Sequence, residues 1–163
     1  MAKIEKEVTL HAPIEKIFSY ISMPSNMLEF WPSLMEVKDV QPLPNGGYNC
    51  LWAYEMLGMR FKGTAQYTQM VPNQWFVIDV KGGIRSTITW TFRSMKDTTR
   101  VTLTIEYKVP IPLLGRLAEA IIVKMNDQEG TLMMFYLKAR FINTKLKFQH
   151  EEHHKTEYIG FET

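Results

Sequence analysis

The chain of 163 residues contains a single cysteine, Cys50. That excludes an internal disulfide framework and any metal site built from several cysteines. No apolar run approaches the roughly 18 residues that a membrane-spanning helix requires. No Gly/Ser- or Pro-rich linker, low-complexity stretch or internal repeat divides the chain. Neither sign of charge dominates: 19 basic against 17 acidic side chains leave +2, too little to argue a nucleic-acid partner. The opening MAKIEKEV is charged and alternating, with no apolar core of a secretory signal. G-x-S-x-G, P-loop and G-x-G-x-x-G patterns are absent, so acyl-transfer and nucleotide chemistry have no local signature. These absences set the expectation of one cytoplasmic domain over residues 1–148, followed by a polar tail at 149–163. What is plentiful is soft and aromatic side chain: 11 Met, 4 Trp, 7 Tyr and 9 Phe. That abundance points toward a binding cavity in the core.

Pro and Gly cut the chain into elements. Residues 3–10 alternate with Ile4, Val8 and Leu10 on one face, the pattern of a half-buried strand. Pro13 opens a short helix to Ile21, with Ile14, Ile17, Phe18 and Ile21 at helical spacing. Pro24 opens a second short helix to about Phe30, and Pro32 ends it. Residues 35–42 read as a strand whose alternation breaks at Lys38-Asp39.

The middle of the chain is β. Residues 47–57 and 60–71 flank Gly58-Met59, and a two-residue turn there pairs Met56 with Phe61, Trp52 with Ala65 and Cys50 with Tyr67 on the inward face. Residues 84–95 and 98–107 flank Lys96-Asp97, pairing Phe92 with Val101, Trp90 with Leu103 and Ile88 with Ile105. Between these hairpins lies strand 74–80 before Gly82-Gly83. Turning Phe76, Ile78 and Val80 inward there leaves Asp79 outside and buries no carboxylate. Opposite the apolar face, both hairpins carry Thr, Arg, Lys and Glu. The sheet is therefore antiparallel and covered on one side only.

The cover is a long helix over 113–147, about 52 Å at 1.5 Å per residue. Leu114, Ala118, Ile121, Met125, Leu132, Phe135, Ala139, Ile142 and Leu146 form a stripe, interrupted at Gln128. Gly130 follows, and a glycine inside a helix costs about 1 kcal/mol against Ala, so a bend is expected there. The architecture is α+β: a seven-stranded curved antiparallel sheet around a long C-terminal helix, with two short helices after the first strand.

His150, Glu151 and His154 match H-E-x-x-H spacing. They lie beyond the last apolar helical turn with no third ligand, so no metal site is assigned. Cys50 faces inward with no histidine in evident reach, which reads as a small buried hydrophobe rather than a nucleophile. Lys138, Arg140, Lys145 and Lys147 form an acid-free stretch. Its preferred reading is charge matched to a helix C-terminus, and the other is transient contact with anionic headgroups.

The runs EVTLHAPIEKIFSYI, FWPSLMEV and TRVTLTIEYKVPIPLLGRLAE resemble the SRPBCC superfamily of START-like, polyketide cyclase/dehydrase and lipid-transport proteins. The likeness spans about residues 4–146. It is most specific at the Ala12-Pro13 helix start and at the strand–Pro–helix junction from Glu106 to Glu119. It implies the helix-grip fold and a deep apolar cavity between sheet and helix. It implies no single activity and carries no universal catalytic motif.

The resulting expectation is binding or transport of an apolar or amphipathic small molecule: a lipid, sterol, quinone or polyketide. The alternative is a cyclase or dehydratase acting in the same cavity, with a Tyr, Glu29 or Asp79 as acid or base. The expected ligand-binding residues are Phe18, Met27, Phe30, Trp31, Tyr48, Trp52, Met56, Phe61, Tyr67, Ile88, Trp90, Leu103, Ile121, Met125, Gln128, Leu132 and Phe135. No catalytic residue, cofactor or oligomeric state is assigned. Gln128 is the polar group expected to orient the ligand, and Glu129 takes its place if the helix is rotated by one residue.

Overall fold

The computed structural model describes the backbone of residues 1–109 and 111–158, and the side chains of 1–109 and 117–142. Seven strands form one antiparallel sheet: β1 (Ala2–Leu10), β2 (Leu34–Pro42), β3 (Tyr48–Met56), β4 (Met59–Val71), β5 (Trp75–Lys81), β6 (Ser86–Ser94) and β7 (Thr99–Tyr107). Their order across the sheet is β1-β7-β6-β5-β4-β3-β2. Helix α1 (Ile14–Ser22) and a 3₁₀ helix (Pro24–Glu29) follow β1, and α2 (Ile111–Tyr158) closes the chain. This is the expected helix-grip architecture.

The β6–β7 register is the expected one, with Phe92 opposite Val101, Trp90 opposite Leu103 and Ile88 opposite Ile105. The inward set of β5 also holds: Phe76 and Ile78 are buried, and Val80 packs against the core.

The β3–β4 register differs by two residues. Met56 pairs with Met59, Trp52 with Gly63 and Cys50 with Ala65. The turn is Leu57-Gly58, both at positive φ (53° and 72°), which is the type I′ geometry that matches strand twist. Because side chains alternate with period two, a two-residue slip leaves every inward side chain inward. Trp52, Met56, Tyr67 and Cys50 therefore stay buried. Gly63 leaves room for the Trp52 ring opposite it in this register, since a Cβ there would lie 2.6 Å from that ring; it would also lie 1.9 Å from the Lys81 carbonyl of β5. The break in β2 falls where the alternation fails, with a register shift between Lys38 and Gln41 and Asp39 at φ 51°.

The helix phase departs from expectation. Ile122, Met133, Met134, Leu137 and Phe141 are buried, whereas Ile121, Leu132, Phe135 and Ile142 are exposed. Four members of the stripe read as the core face thus lie on α2's outer face with Gln128, while Ala118, Met125 and Ala139 are half-buried and Leu114 and Leu146 lie outside the described side chains. The buried face includes Gly130, where a Cβ would meet Lys6 Cγ at 3.1 Å and Ile4 Cγ2 at 3.5 Å. The glycine lets α2 approach β1 closely, a packing reason for its presence. Lys6 Nζ pairs with Asp127 at 2.8 Å beside this contact.

At the other end, Arg140 pairs with Glu29, and its guanidinium lies 4.2 Å from the centre of the Tyr20 ring. One member of the basic stretch is thereby tied to the short helices. Residues 149–158, expected to begin a tail, continue α2. The side chains from 143 onward, including His150 and His154, lie outside the described residues. No helix among the described residues is long and apolar enough to cross a membrane.

Candidate functional site

Buried side chains form two clusters. The larger joins α1, the 3₁₀ helix, the sheet and the Met133–Phe141 part of α2. The smaller gathers Ile4, Met56, Tyr107, Val109 and Ile122. Members of both line a cavity of about 130 Å³ under α2.

Of the expected ligand-binding residues, Met27, Trp31, Trp52, Met56, Tyr67 and Ile88 line this cavity. Others are packed elsewhere in the body. Phe18 stands edge-on to Phe76 and Phe92, Phe30 edge-on to Trp90, and Tyr48 edge-on to Tyr67. Phe61 stacks on Tyr54, and Trp90 and Leu103 are fully buried in the sheet's inner layer. Ile121, Gln128, Leu132 and Phe135 project to solvent on α2's outer face, and Met125 is half-buried beside the smaller cluster. The reason is the helix rotation: a one-residue error in phase turns a side chain by about 100°. Neither carboxylate expected as acid or base lines the cavity. Glu29 is bound to Arg140 and accepts a hydrogen bond from the Tyr20 hydroxyl at 2.8 Å. Asp79 stands between Gln66 and Thr87 on the outer side of the sheet.

The cavity wall also contains residues absent from the expected set. The most informative are Tyr54, Tyr107, Asn126 and Glu129. Glu129 is held in place by the Ser33 backbone N–H, which donates to its Oε1 at 2.7 Å. It is the only charged residue on the wall among the described residues. The sequence contained the signal for it, since a rotation of one residue from Gln128 brings Glu129 inward.

The Tyr54 hydroxyl accepts a hydrogen bond from Ile84 N–H at 3.2 Å. Burial raises its pKa; the hydrogen bond from Ile84 opposes that rise, and the nearby Glu129 charge adds to it, so Tyr54 stays protonated at neutral pH. Tyr67 is committed to the fold, its hydroxyl donating to the Ser22 carbonyl at 2.8 Å. Burial likewise drives its pKa well above the ordinary value. Cys50 lies on the wall, but burial pushes its thiol up to about 11, so it is not a thiolate nucleophile at neutral pH.

Among the described residues, two polar atoms of cavity-lining side chains, Trp52 Nε1 and the Tyr107 hydroxyl, are themselves fully buried and have no hydrogen-bond partner. Their side chains belong to residues only 7% and 3% exposed. Such groups are rare in native proteins because leaving one unpaired costs about 1–3 kcal/mol. No group of His, Cys, Asp and Glu among the described residues has the arrangement of a metal site.

A family profile described as polyketide cyclase/dehydrase and lipid transport matches residues 1–141. The chain belongs to that family. Solved structures share its fold at low identity. TTHA0849 from Thermus thermophilus is 17% identical with a TM-score of 0.76, covering 88% of this chain and 99% of its own. The Zhui aromatase/cyclase from a Streptomyces species is 12% identical with a TM-score of 0.69, covering 85% and 92%. A START superfamily protein from Mycobacterium smegmatis is 17% identical with a TM-score of 0.58, covering 82% and 98%. Among curated proteins, none matches. At these identities the likeness speaks for the fold alone, so the family's range of carriers and cyclases leaves the activity to be argued from the cavity.

Proposed function

We propose that the protein binds an amphipathic small molecule in the cavity between sheet and α2, as a carrier or receptor. The observation that carries this reading is the cavity itself, whose mostly apolar wall under α2 holds one charged group, the Glu129 carboxylate, among the described residues. Apolar walls supply affinity through buried area, and a few placed polar groups set orientation.

A second reading, cyclase or dehydratase chemistry, draws support from Glu129. A carboxylate on the wall of an apolar cavity is a candidate general acid or base. Native mass spectrometry after gentle purification addresses both readings. A co-purifying molecule that is recovered unchanged after incubation favours carriage. Loss of one water from it on incubation, abolished by Glu129→Gln, favours dehydration. A cavity-filling Ala65→Leu variant that retains the molecule at full affinity would sink both readings.

A further inference from the structure

The charge of the cavity wall is one-sided. Glu129 contributes a carboxylate, and among the described residues no Lys, Arg or His lines the cavity. Among the described residues, one of its two oxygens is engaged, by Ser33 N–H. Lys6, a cation that β1 presents to α2 beside Gly130, is already paired with Asp127 at 2.8 Å. The remaining wall is rich in aromatic rings, with Trp31, Trp52, Tyr54 and Tyr107 among them. Aromatic faces are electronegative and favour cations over anions. Tyr54 is stacked against both Trp52 and Phe61, at 4.9 and 5.1 Å between centroids, so its faces are taken by other rings and the faces left for a cation are those of rings outside this stack, such as Trp31.

We infer that the cavity selects a compact cationic ligand, a protonated amine on a body of about one ring, with the amine directed at Glu129. This rests on the reading of the cavity as a ligand site. Three features converge on it. A carboxylate without a cationic partner in an apolar enclosure is compensated by a cation from the ligand. The aromatic walls suit the same charge. The volume, about 130 Å³, is close to the roughly 150 Å³ of an apolar cavity that admits benzene. Fatty-acid carboxylates and phosphates are disfavoured by the same arrangement, because the anion would be desolvated beside Glu129 with no cation to receive it.

The test uses three probes that share one ring: benzylamine, benzyl alcohol and benzoate, each titrated calorimetrically against the whole protein at neutral pH. The expected order is benzylamine, then benzyl alcohol, then benzoate. The gap between the first two should be on the order of tenfold, as for a charge-assisted hydrogen bond. Glu129→Gln retains an acceptor for Ser33 N–H, so it should fold, and it should bring benzylamine down to the affinity of benzyl alcohol. Benzoate binding as tightly as benzylamine to the wild-type protein would overturn the charge selectivity while leaving the cavity a ligand site; this comparison needs no variant. An amine preference that survives in a folded Glu129→Gln protein would overturn the role of Glu129. Failure of all three probes to bind at millimolar concentration would overturn this inference together with the ligand-site reading beneath it.

Discussion

Tyr107 and Trp52 sit where a side chain's polar end works against folding. The Tyr107 hydroxyl is buried and unpaired, so Tyr107→Phe removes an unsatisfied group while keeping the ring. The protein should hold its stability or gain up to ~1 kcal/mol in urea denaturation. A clear loss of unliganded stability would mean that the hydroxyl has a structural partner after all. Cys50 gives a second residue-scale prediction. Burial raises its pKa from the ordinary 9.0 to about 11, because the thiolate would be desolvated among apolar neighbours. A group whose pKa is higher folded than unfolded stabilises fully below the unfolded value and less as pH rises through the folded one. Stability should therefore be flat to about pH 9 and fall toward pH 11, with Tyr54 and Tyr67 adding to the fall at higher pH. At pH 7 iodoacetamide should label Cys50 slowly in the native protein and rapidly in urea. Equal rates would contradict its burial.

Among the elements, α2 is the one whose orientation decides the site. Leu137 is fully buried, while Phe135, two positions earlier, is 64% exposed. Leu137→Ala should cost about 2–5 kcal/mol by cavity formation. Phe135→Ala should stay within about 0.5 kcal/mol, as solvent-facing changes usually do. The reverse ranking in urea melts would restore the other helix phase and return Gln128 to the interior. In the sheet, Gly63→Ala tests the close approach of β4 to the end of β5 and to the Trp52 ring. The added methyl would collide with the Lys81 carbonyl, 1.9 Å away, and with the Trp52 ring. Backbone cannot yield as a flexible side chain does, so a loss at or above the upper end of the ~1–3 kcal/mol typical of overpacking is expected. A mild effect would mean that neither the Lys81 backbone nor the Trp52 ring approaches Gly63 this closely.

On the scale of the whole molecule, the family match ends at residue 141, and among the described residues the last buried side chain of α2 is Phe141. Folding is therefore expected to need little beyond this point. Deleting residues 149–163 should leave the melting temperature within about 4 °C, the shift that ~1 kcal/mol produces in a chain of this size. A larger drop would mean that Tyr158, Ile159 or Phe161 docks on the body.

Much of the architecture was legible from the sequence alone. Strand faces depend on a period of two that is written locally, and they survive even a misplaced turn. Cys50, Trp52, Met56 and Tyr67 therefore landed inside despite a register two residues away from the expected one. The β6–β7 hairpin, with Lys96-Asp97 at its tip, agreed pair for pair. Helix rotation is different, because α2 carries two apolar faces and the more continuous one faces water. Its inner face is broken by Asn126, Glu129 and Gly130. Those residues are there for tertiary reasons: Gly130 lets the helix approach β1, and Glu129 reaches Ser33 across the cavity, ninety-six residues away in sequence. A periodicity argument rewards an unbroken stripe, but a helix that lines a cavity instead of filling it need not have one. Strand pairing and the inward faces were thus determined by the sequence's own pattern. The helix phase, and with it the carboxylate at the site, was decided only by the surface on which the helix came to rest.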